Sequence, residues 1–290
     1  RIAADSAYVN GKKDNGLAYD TLTTTVIACI FLKMFTLAMN TAMYDNPIVQ
    51  DNMKKLQNYG YEVNTPASGY LACGDTGAGK MPEPETLLEY ILREVAFEKD
   101  LSGKKILVTA GPTQEAIDPV RCLTNHSSGK MGYAIAKMAM LRGAEVTLVS
   151  GPTAIEPPLF VKVVPVTSAR DMFEAVTGVS DQQDIIIKAA AVADYRPKQV
   201  SEDKVKKKDD QVSIELERTD DILKYLGQHK KNGQFLCGFS METKDMIGNS
   251  RAKLEKKNLD MVAANNLNVE GAGFQGDTNV LTLITQDEEV

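Results

Sequence analysis

A short apolar run followed by a glycine- and serine-rich segment is the first stretch of this chain that could support chemistry. Residues 104–132 read KKILVTAGPTQEAIDPVRCLTNHSSGKMG and lead into helix-like sequence over 133–142. Backbone N–H groups in such a loop, at a helix N-terminus, are unpaired donors in a positive field. The segment matches neither the G-x-G-x-x-G nor the G-x-x-x-x-G-K-[ST] nucleotide pattern. We therefore predict an anion-binding loop of another kind.

Two further polar segments each follow an apolar run. VADYRP, at 192–197, follows DIIIKAAA at 184–191, and SMET, at 240–243, follows FLCGF at 235–239. Further strands are expected at 106–110, 146–150, 161–166, 261–264 and 280–285, with a helix at 169–177. Strands that alternate with helices imply an α/β fold with a doubly wound, mostly parallel sheet. Because ligands bind at the carboxyl ends of such strands, we expect the three polar segments to meet in one crevice.

The N-terminal part of the chain predicts a separate domain. Residues 25–31 (TVIACIF) and 34–38 read as strands, and 48–59 and 85–93 read as helices. Residues 66–80, PASGYLACGDTGAGK, read as a long glycine-rich loop, which in a compact domain is typical of a functional lid. A polar linker at 99–105 follows, and we place the domain boundary there.

Composition limits the class of protein. The chain has 290 residues, of which 43% are hydrophobic and 25% charged, so there is room for two ordinary domains. A net charge of −6 argues against nucleic acid as a partner and favours a nucleotide or phosphate ester. Four cysteines without a C-x-x-C pair argue against zinc and disulfides and suit a reducing cytoplasm. The longest apolar run, 26–39, is interrupted by Lys33 and too short for a membrane span.

Many motifs follow one another in a recognisable order. They are GPT, IDPVR, N-x-SSGKMG, AAAVADYRP, KVKK, DDIL, GFSMET and RAKLEKKNLD, all within residues 103–285. This set closely resembles the phosphopantothenate–cysteine ligase domain, usually the C-terminal half of a bifunctional coenzyme A biosynthesis protein. AMNTAMYDNP and PASGYLACGDTGAGKMPEP, within 1–95, resemble the end of the partner half, the flavin-dependent phosphopantothenoylcysteine decarboxylase.

The resemblance implies two domains. Residues 103–290 would form a Rossmann-like ligase domain, and residues 1–98 a truncated, partial flavodoxin-like flavoprotein segment. The family's flavin-binding first strand and catalytic His are not found here, and residues 5–16 resemble at best a degraded form of its small-residue and Asn loop. Because the chain also starts at Arg1, we expect a fragment.

The implied reaction has two steps. The carboxylate of 4′-phosphopantothenate attacks the α-phosphate of CTP, giving an acyl-cytidylate and pyrophosphate, and the amine of L-cysteine then displaces CMP. An anion that attacks a triphosphate needs cations to neutralise the growing charge, which explains the lysines and an implied Mg²⁺ ion. The expected partners are these small molecules and a second ligase domain in a homodimer, with no membrane.

The resemblance also implies which residues form the ligase site. Asn125, beside the acyl group, and Lys204 would act in catalysis, and Asp194 would hold the metal. The expected substrate contacts are Asn125, Ala190 and Ala191. The expected CTP contacts are Asp194, Lys204, Asp220, Asp221, Ile222, Leu223, Phe239, Lys253 and Lys257. Asp220 replaces the family's Pro, which is tolerable if the backbone makes the contact. Lys253 and Lys257, four residues apart on a helix, repel each other unless an anion lies between them.

The flavoprotein segment keeps two motif residues. In the family, Cys73 is the acid that protonates the enethiol intermediate and Asn40 binds the substrate carboxylate. A thiol in a glycine-rich lid is chemically suited to proton donation. FMN is expected for the family's decarboxylase half, but without the upstream flavin loops these two residues indicate a structural remnant or a dimerisation element.

Other interpretations stay open. Taken alone, Asn125 could be a turn former, Asp194 a helix cap and residues 198–210 a mobile surface loop. The decarboxylase alone would bind yellow flavin and release CO₂ without CTP. A catalytically silent nucleotide-binding or assembly subunit is a further hypothesis. An NAD(P) dehydrogenase lacks support, because the tight glycine turn and the acidic ribose residue are missing.

Overall fold

The structure, a computed structural model, describes residues 34–206, 213–242, 245–266 and 278–288. The chain divides into two units, Arg1–Glu98 and Lys99–Val290. The strand expected at 25–31 and the segment 5–16 lie outside the described residues. No helix in the described ranges is long and apolar enough to cross a membrane.

The first unit is built from short elements. They are β1 (Met34–Thr36), α1 (Thr41–Tyr44), α2 (Pro47–Asn58), β2 (Glu62–Asn64), β3 (Ala67–Tyr70), β4 (Thr76–Lys80) and α3 (Pro84–Val95). Strands β1 and β2 pair in parallel, and β3 and β4 pair antiparallel. The helices expected at 48–59 and 85–93 are therefore confirmed with small shifts in their ends.

The long loop predicted over 66–80 is wrong, because β3 and β4 of this segment pair as a β-hairpin, and its role as a lid stays a prediction. Its turn is closed by backbone bonds from Leu71 N to Asp75 O (2.8 Å) and from Gly74 N to Leu71 O (2.9 Å). A side chain at Gly79 would collide with the carbonyl oxygen of Met39, whose own N–H donates to Gly79 O at 2.9 Å. The glycines thus let the hairpin pack against the backbone that precedes α1.

The second unit contains the remaining elements. They are β5 (Lys105–Ala110), β6 (Gln114–Ala116), β7 (Cys122–Thr124), α4 (Lys130–Leu141), β8 (Glu145–Ser150), β9 (Lys162–Pro165), α5 (Ala169–Ser180), β10 (Ile185–Lys188), β11 (Tyr195–Pro197), β12 (Leu216–Arg218), α6 (Ile222–Gln228), β13 (Phe235–Glu242), α7 (Met246–Lys256), β14 (Met261–Asn266) and β15 (Leu281–Ile284). The loop after β5 includes the small antiparallel hairpin β6–β7.

Seven strands of this unit form one sheet in the order β15-β14-β13-β10-β5-β8-β9. All neighbours are parallel except β14 and β15, so the mostly parallel, doubly wound sheet is confirmed. In its centre Ile186 of β10 pairs with Leu107 of β5 and Leu236 of β13, and all three are essentially inaccessible to solvent. Continuous apolar strands are expected where both faces of a parallel sheet are covered.

The order of the strands locates the functional edge of the sheet. From β5 the chain moves outward through β8 to β9, and then returns to the other side of β5 to form β10, β13 and β14. Such a reversal opens a crevice at the carboxyl ends of the two strands that flank it, here β5 and β10. The loop after β5 and the residues after β10 therefore meet there.

Strand β10 ends at Lys188, three residues earlier than expected. Beyond it, Ala190 N donates to Thr109 Oγ1 at 3.1 Å and Ala191 N donates to Gly111 O at 2.9 Å. Residues 189–191 thus follow the start of the loop after β5 and do not continue the ladder with β13. Because their side chains are small, the backbone stays accessible at the head of the crevice.

Candidate active site

A cavity of about 810 Å³ opens at this edge of the sheet. It is lined by residues 125–134, 189–191 and 239–241, and by Ile155, Asn265, Thr278 and Asn279. The loop after β5 and the end of β13 therefore meet as predicted, whereas VADYRP, at 192–197, is not part of this lining. Of the predicted site residues, the cavity brings together Asn125, Ala190, Ala191 and Phe239.

The first turn of α4 faces this cavity because two glycines allow the helix to pack closely against β5 and Thr153. Gly129, the N-cap, has φ of 81°, and a Cβ there would lie 2.7 Å from Thr153 Cγ2. A Cβ at Gly132 would lie 2.9 Å from Thr109 O, so the helix packs directly on β5. The helix starts at Lys130, three residues before the predicted start, so the SSGK segment is its entry. This arrangement suits an anionic group.

Asn125 has a different immediate role from the one expected. Its Nδ2 donates to the carbonyl oxygens of Ala191 at 3.2 Å and Val192 at 3.1 Å. The amide donor predicted to hold an acyl carbonyl is therefore engaged with the backbone, and Asn125 joins the loop after β5 to the segment after β10. The acyl contact stays a prediction, and it requires these bonds to be exchanged for bonds to a substrate.

Lys188, at the carboxyl end of β10, is the centre of a charged cluster. Burial of the ammonium and the nearby charge of Lys253 lower the pKa of Lys188 to about 8, with Lys257 acting in the same direction. Asp221 and Asp194 oppose this shift in the pKa. Four residues that the resemblance implied for CTP thus surround one strand end. Lys188 was not predicted as a site residue. A lysine that directly follows the apolar run Ile-Ile-Ile at the end of a buried strand is the sequence feature that could have identified it.

The two helical lysines have separate partners. Lys253 Nζ donates to Phe239 O at 2.7 Å, and Lys257, the C-cap of α7, forms an ion pair with Asp221. Asp221 also caps α6 by accepting a bond from Lys224 N at 2.9 Å. Burial raises the pKa of Asp221, but the bonds from Lys257 and Lys224 outweigh it and the pKa is lowered. An anion between the lysines is therefore not required, which corrects that expectation.

The DDIL motif divides into exposed and buried parts. Asp220 and Asp221 are exposed, whereas Ile222 and Leu223 are only 1% and 6% exposed and pack in the core. Side-chain contacts from these two apolar residues to a nucleotide are therefore excluded. Only their backbone remains for the predicted CTP contact.

Lys204 lies on a segment that is tied to the loop after β5. The neighbouring Val205 N donates to the buried carboxylate of Asp118 at 3.1 Å, and Ser201 N donates to Ile117 O at 3.0 Å. Lys204 itself is exposed. Asp118 belongs to the IDPVR motif but was not among the predicted site residues.

Asn265 lines the cavity but was not predicted from the sequence. It is 4% exposed, and its Oδ1 has no hydrogen-bond partner among the described residues. A buried acceptor left unpaired costs about 1–3 kcal/mol, so this oxygen is suited to a donor on a ligand. Its position at the carboxyl end of β14, where ligands bind in such sheets, is the sequence feature that could have identified it.

Asp194 fits magnesium only with help from a substrate. The described part of the chain contains no group of three or more His, Cys, Asp or Glu side chains able to hold a metal. Asp194 is an exposed carboxylate beside the cluster around Lys188. One carboxylate together with substrate phosphates and water is a common way to hold Mg²⁺. The residue is therefore compatible with a metal that arrives with a triphosphate.

The two flavoprotein-motif residues lie on a turn and a cap. Cys73 is exposed between β3 and β4, and its Sγ donates to Asp75 Oδ2 at 3.7 Å. Asn40 caps α1, with Oδ1 accepting from Met43 N at 2.7 Å. The glycine-rich segment at 66–80 forms the hairpin β3–β4, and Cys73 lies in its turn.

The remaining described cysteines differ from each other. Cys122 is exposed on β7. Cys237 is buried on β13, and burial raises the pKa of its thiol to about 12. Neither lines the cavity.

Two family models match the chain. The model described as "DNA/pantothenate metabolism flavoprotein C-terminal domain" matches residues 101–290, and the model described as "Flavoprotein" matches residues 6–96. Together they cover nearly the whole chain, and the point where one gives way to the other lies close to the division between the two units.

Three similar proteins bear on the function. The coenzyme A biosynthesis bifunctional protein CoaBC of Bacillus subtilis (strain 168) is 48% identical over 289 residues, which are 99% of this chain and 71% of the relative. A cysteine/cysteine sulfinic acid decarboxylase of an unknown prokaryotic organism is 40% identical over 294 residues, and the match covers 100% of this chain and 82% of the relative. The crystal structure of a CoaBC C-terminal domain is 51% identical with a TM-score of 0.56, and the match covers 66% of this chain and 86% of that one.

Proposed function

The chain belongs to the CoaBC family of bifunctional coenzyme A biosynthesis proteins, and on this premise we propose that it joins 4′-phosphopantothenate to L-cysteine with cleavage of CTP. The ligase domain is assigned to residues 103–290 and a flavoprotein segment to residues 1–98. The observation that supports ligation most strongly is that a cavity beside the N-terminus of α4 and a cluster of lysines lie at the same edge of one sheet.

The cavity is assigned to 4′-phosphopantothenate. Its volume of about 810 Å³ lies in the usual range for small-molecule sites. The first turn of α4 would hold the phosphate, since the N-terminus of a helix and the helix dipole favour an anion. Ala190 and Ala191 leave the backbone accessible to the acyl end of the substrate. The unpaired Oδ1 of Asn265 offers an acceptor deeper in the same cavity.

The cluster around Lys188 is assigned to the triphosphate of CTP. Lys188, Lys253 and Lys257 concentrate positive charge at the carboxyl ends of β10 and β13, where a triphosphate would be neutralised. Phe239 joins the two subsites, because it lines the cavity and its carbonyl oxygen accepts the bond from Lys253. Asp194 would hold a magnesium ion, which supplies further neutralisation of the phosphate oxygens when bound.

In the first step a carboxylate oxygen of the substrate bonds to the α-phosphorus of CTP, and the bond to the β-phosphate oxygen breaks. Pyrophosphate leaves with the electron pair, and negative charge grows on the phosphate oxygens in the transition state. Lys204 is the residue assigned to stabilise this charge. A fixed cation beside these oxygens stabilises the transition state more in a water-excluded site than in bulk water.

In the second step the amine of cysteine attacks the acyl carbon and the bond to the cytidylate oxygen breaks. CMP leaves with that oxygen, and the amine loses a proton as the amide forms. Asn125 is assigned to the acyl carbonyl, for which its Nδ2 must leave the carbonyl oxygens of Ala191 and Val192. This exchange couples acyl binding to a rearrangement of the loop after β5.

Decarboxylation is the second candidate function. It is supported by the Flavoprotein match over residues 6–96 and by the exposed Cys73 thiol beside Asp75, and one similar protein is named a cysteine decarboxylase. It predicts a yellow protein that releases CO₂ from an acyl-cysteine substrate without CTP. A catalytically silent assembly subunit would do neither reaction.

The test is to incubate the protein with magnesium, CTP, 4′-phosphopantothenate and cysteine, and to follow pyrophosphate and CMP. We expect both to form in equal amounts with the amide product. Without cysteine, pyrophosphate release should stop after about one turnover, because the acyl-cytidylate remains bound. A protein that releases no pyrophosphate under these conditions is not this ligase, and replacing CTP by ATP defines the base preference.

A further inference from the structure

Asp118 is a buried carboxylate with no role in the reaction described above. The residue is 2% exposed and its side chain is completely covered. Oδ1 accepts bonds from Val120 N at 2.8 Å and from Arg121 N at 2.9 Å. Oδ2 accepts bonds from Arg121 Nη1 at 2.9 Å and from Val205 N at 3.1 Å. The two oxygens thus serve different parts of the chain.

The bonds to Oδ1 explain the local turn. An Asp or Asn side chain commonly accepts bonds from backbone N–H groups two and three residues ahead, and this closes the loop between β6 and β7. The turn makes no use of Oδ2 for its backbone. An Asn at 118 would keep the acceptor that the turn needs, so the carboxylate has a purpose beyond it.

The bonds to Oδ2 hold a segment that is distant in sequence. Val205 follows Lys204 directly, and Arg121 Nη1, fixed by the same carboxylate oxygen, donates to Val205 O at 3.0 Å. Ser201 N donates to Ile117 O at 3.0 Å, so a second tether lies on the other side of Lys204. The backbone of the lysine is therefore held at both ends by residues 117–121, four residues before Asn125.

We propose that Asp118 is a positioning residue that fixes Lys204 for catalysis by accepting the N–H of Val205 and orienting Arg121 onto the carbonyl of the same residue. The proposal rests on the proposed function, in which Lys204 stabilises the reacting phosphates. Asp118 touches no substrate. Its bonds fix the backbone from which the long, cationic side chain of Lys204 extends, and a small displacement of a catalytic group has a large effect on rate.

The ionisation of Asp118 agrees with this role. Burial acts to raise the pKa of the carboxyl, but bonds from the backbone N–H groups of Val120, Val205 and Arg121, together with the Arg121 charge, outweigh it and the pKa is lowered. The group is therefore a carboxylate at neutral pH, and both oxygens are acceptors.

The substitution Asp118→Asn separates the two roles. The amide retains one oxygen for the turn but presents an NH₂ group, which donates and does not accept, to Val205 N and Arg121. We expect kcat for pyrophosphate release to fall about 10²-fold. In a Lys204→Gln background the same substitution should change kcat by less than about twofold, because its effect acts through the lysine. Hydrogen exchange at the Val205 amide should be faster.

Asp171→Asn is the matched control. Asp171 is also a carboxylate that accepts backbone N–H groups, from Ser168 at 2.8 Å and Thr167 at 3.3 Å, but it caps α5 and lies outside the cavity lining. This variant should leave kcat unchanged. If Asp118→Asn does not fold, Val205→Pro removes the donor instead of the acceptor and should give the same loss of kcat.

The outcomes separate the inference from the function on which it rests. A wild-type protein that releases no pyrophosphate overturns the proposed function and the role of Lys204 with it. An active wild type and a slow Lys204→Gln variant, together with a full-rate Asp118→Asn variant, overturn this inference alone. Equal losses from Asp118→Asn in both backgrounds would show a general structural role and would also overturn it.

Discussion

The two units differ in the packing that supports their proposed functional residues. In the second unit Leu107, Ile186 and Leu236 form the buried centre of a seven-stranded sheet, and the cavity opens at its edge. In the described part of the first unit, α2 and α3 bury no residue, and Ile48 and Leu88 on these helices are 71% and 51% exposed. A preorganised site needs rigid support, and only the second unit provides it within the described residues.

The functional groups differ in the same way. In the second unit, Lys253 is held by the carbonyl of Phe239, and Lys257 is held by Asp221. In the first, Cys73 lies on a hairpin turn and its side chain donates to the exposed Asp75, two residues away. If the proposed function holds, ligation depends on groups that distant elements fix in place, whereas local structure positions the Cys73 thiol.

The largest expected effect comes from Lys204→Gln. This change removes the cation assigned to the reacting phosphates and should lower kcat for ligation about 10²–10³-fold, the usual loss when one stabilising group is removed. Steady-state pyrophosphate release measures it. Because Lys204 is exposed, the thermal unfolding midpoint should not change.

Cys73→Ser is the reciprocal variant. It should leave the ligation rate unchanged, because the thiol belongs to the other unit and to the other proposed reaction. Loss of ligation in this variant, or normal ligation in Lys204→Gln, would contradict the assignment of ligation to the second unit alone.

The second effect concerns stability. Leu107→Ala leaves a cavity in the centre of the sheet and should destabilise the protein by about 2–5 kcal/mol. Leu88→Ala, at a half-exposed position of α3, should change the free energy of unfolding by less than about 0.5 kcal/mol. Denaturant unfolding followed by circular dichroism measures both. Similar losses at the two positions would show that α3 is supported as firmly as the sheet.

The smallest effect concerns Lys188. Below about pH 8 the lysine is charged in the folded and unfolded chain, and burial of the charge is unfavourable, so Lys188→Met should raise the unfolding midpoint by a few degrees. The pKa of Lys188 is lowered from 10.5 in the unfolded chain to about 8 in the folded protein, so the folded protein loses this proton first as the pH rises. Between pH 8 and 10.5 the free energy of unfolding of the wild type therefore increases with pH, and that of the variant does not. The gain from the substitution should therefore shrink above pH 8.

The same variant should bind CTP more weakly. Loss of one buried cation should raise KM for CTP about tenfold at pH 7. In the wild type, KM for CTP should rise as the pH passes about 8 and Lys188 becomes neutral, while the variant shows no such rise. Equal pH profiles for the two proteins would exclude Lys188 from the nucleotide subsite.

Sequence patterns predicted the sheet of the second unit well. Buried parallel strands must be apolar along their whole length, so runs such as 106–110 and 235–239 are visible without any tertiary information. Polar segments that follow such strands must meet at one edge, which located Asn125 and Phe239 in one cavity. The hairpins β3–β4 and β6–β7 were missed, because their small and polar strands are specified by pairing and not by burial.

The partners of charged groups could not be predicted. The spacing of Lys253 and Lys257 gives their relation on one helix but not the nearby carbonyl of Phe239 or the carboxylate of Asp221. Asp118 and Val205 are 87 residues apart, and their bond exists only once the loop after β5 and the segment after β11 are folded together. Burial of Asn265 likewise depends on neighbouring elements.

The most direct measurement is the transfer of oxygen from substrate to nucleotide. When both carboxylate oxygens of 4′-phosphopantothenate carry ¹⁸O, attack on the α-phosphorus and displacement by cysteine must leave one label in CMP and one in the new amide. Mass spectrometry of CMP from a single turnover reads this result. CMP containing one ¹⁸O atom is the predicted outcome, and unlabelled CMP in the presence of product would contradict the acyl-cytidylate and the assignment of the two subsites built on it.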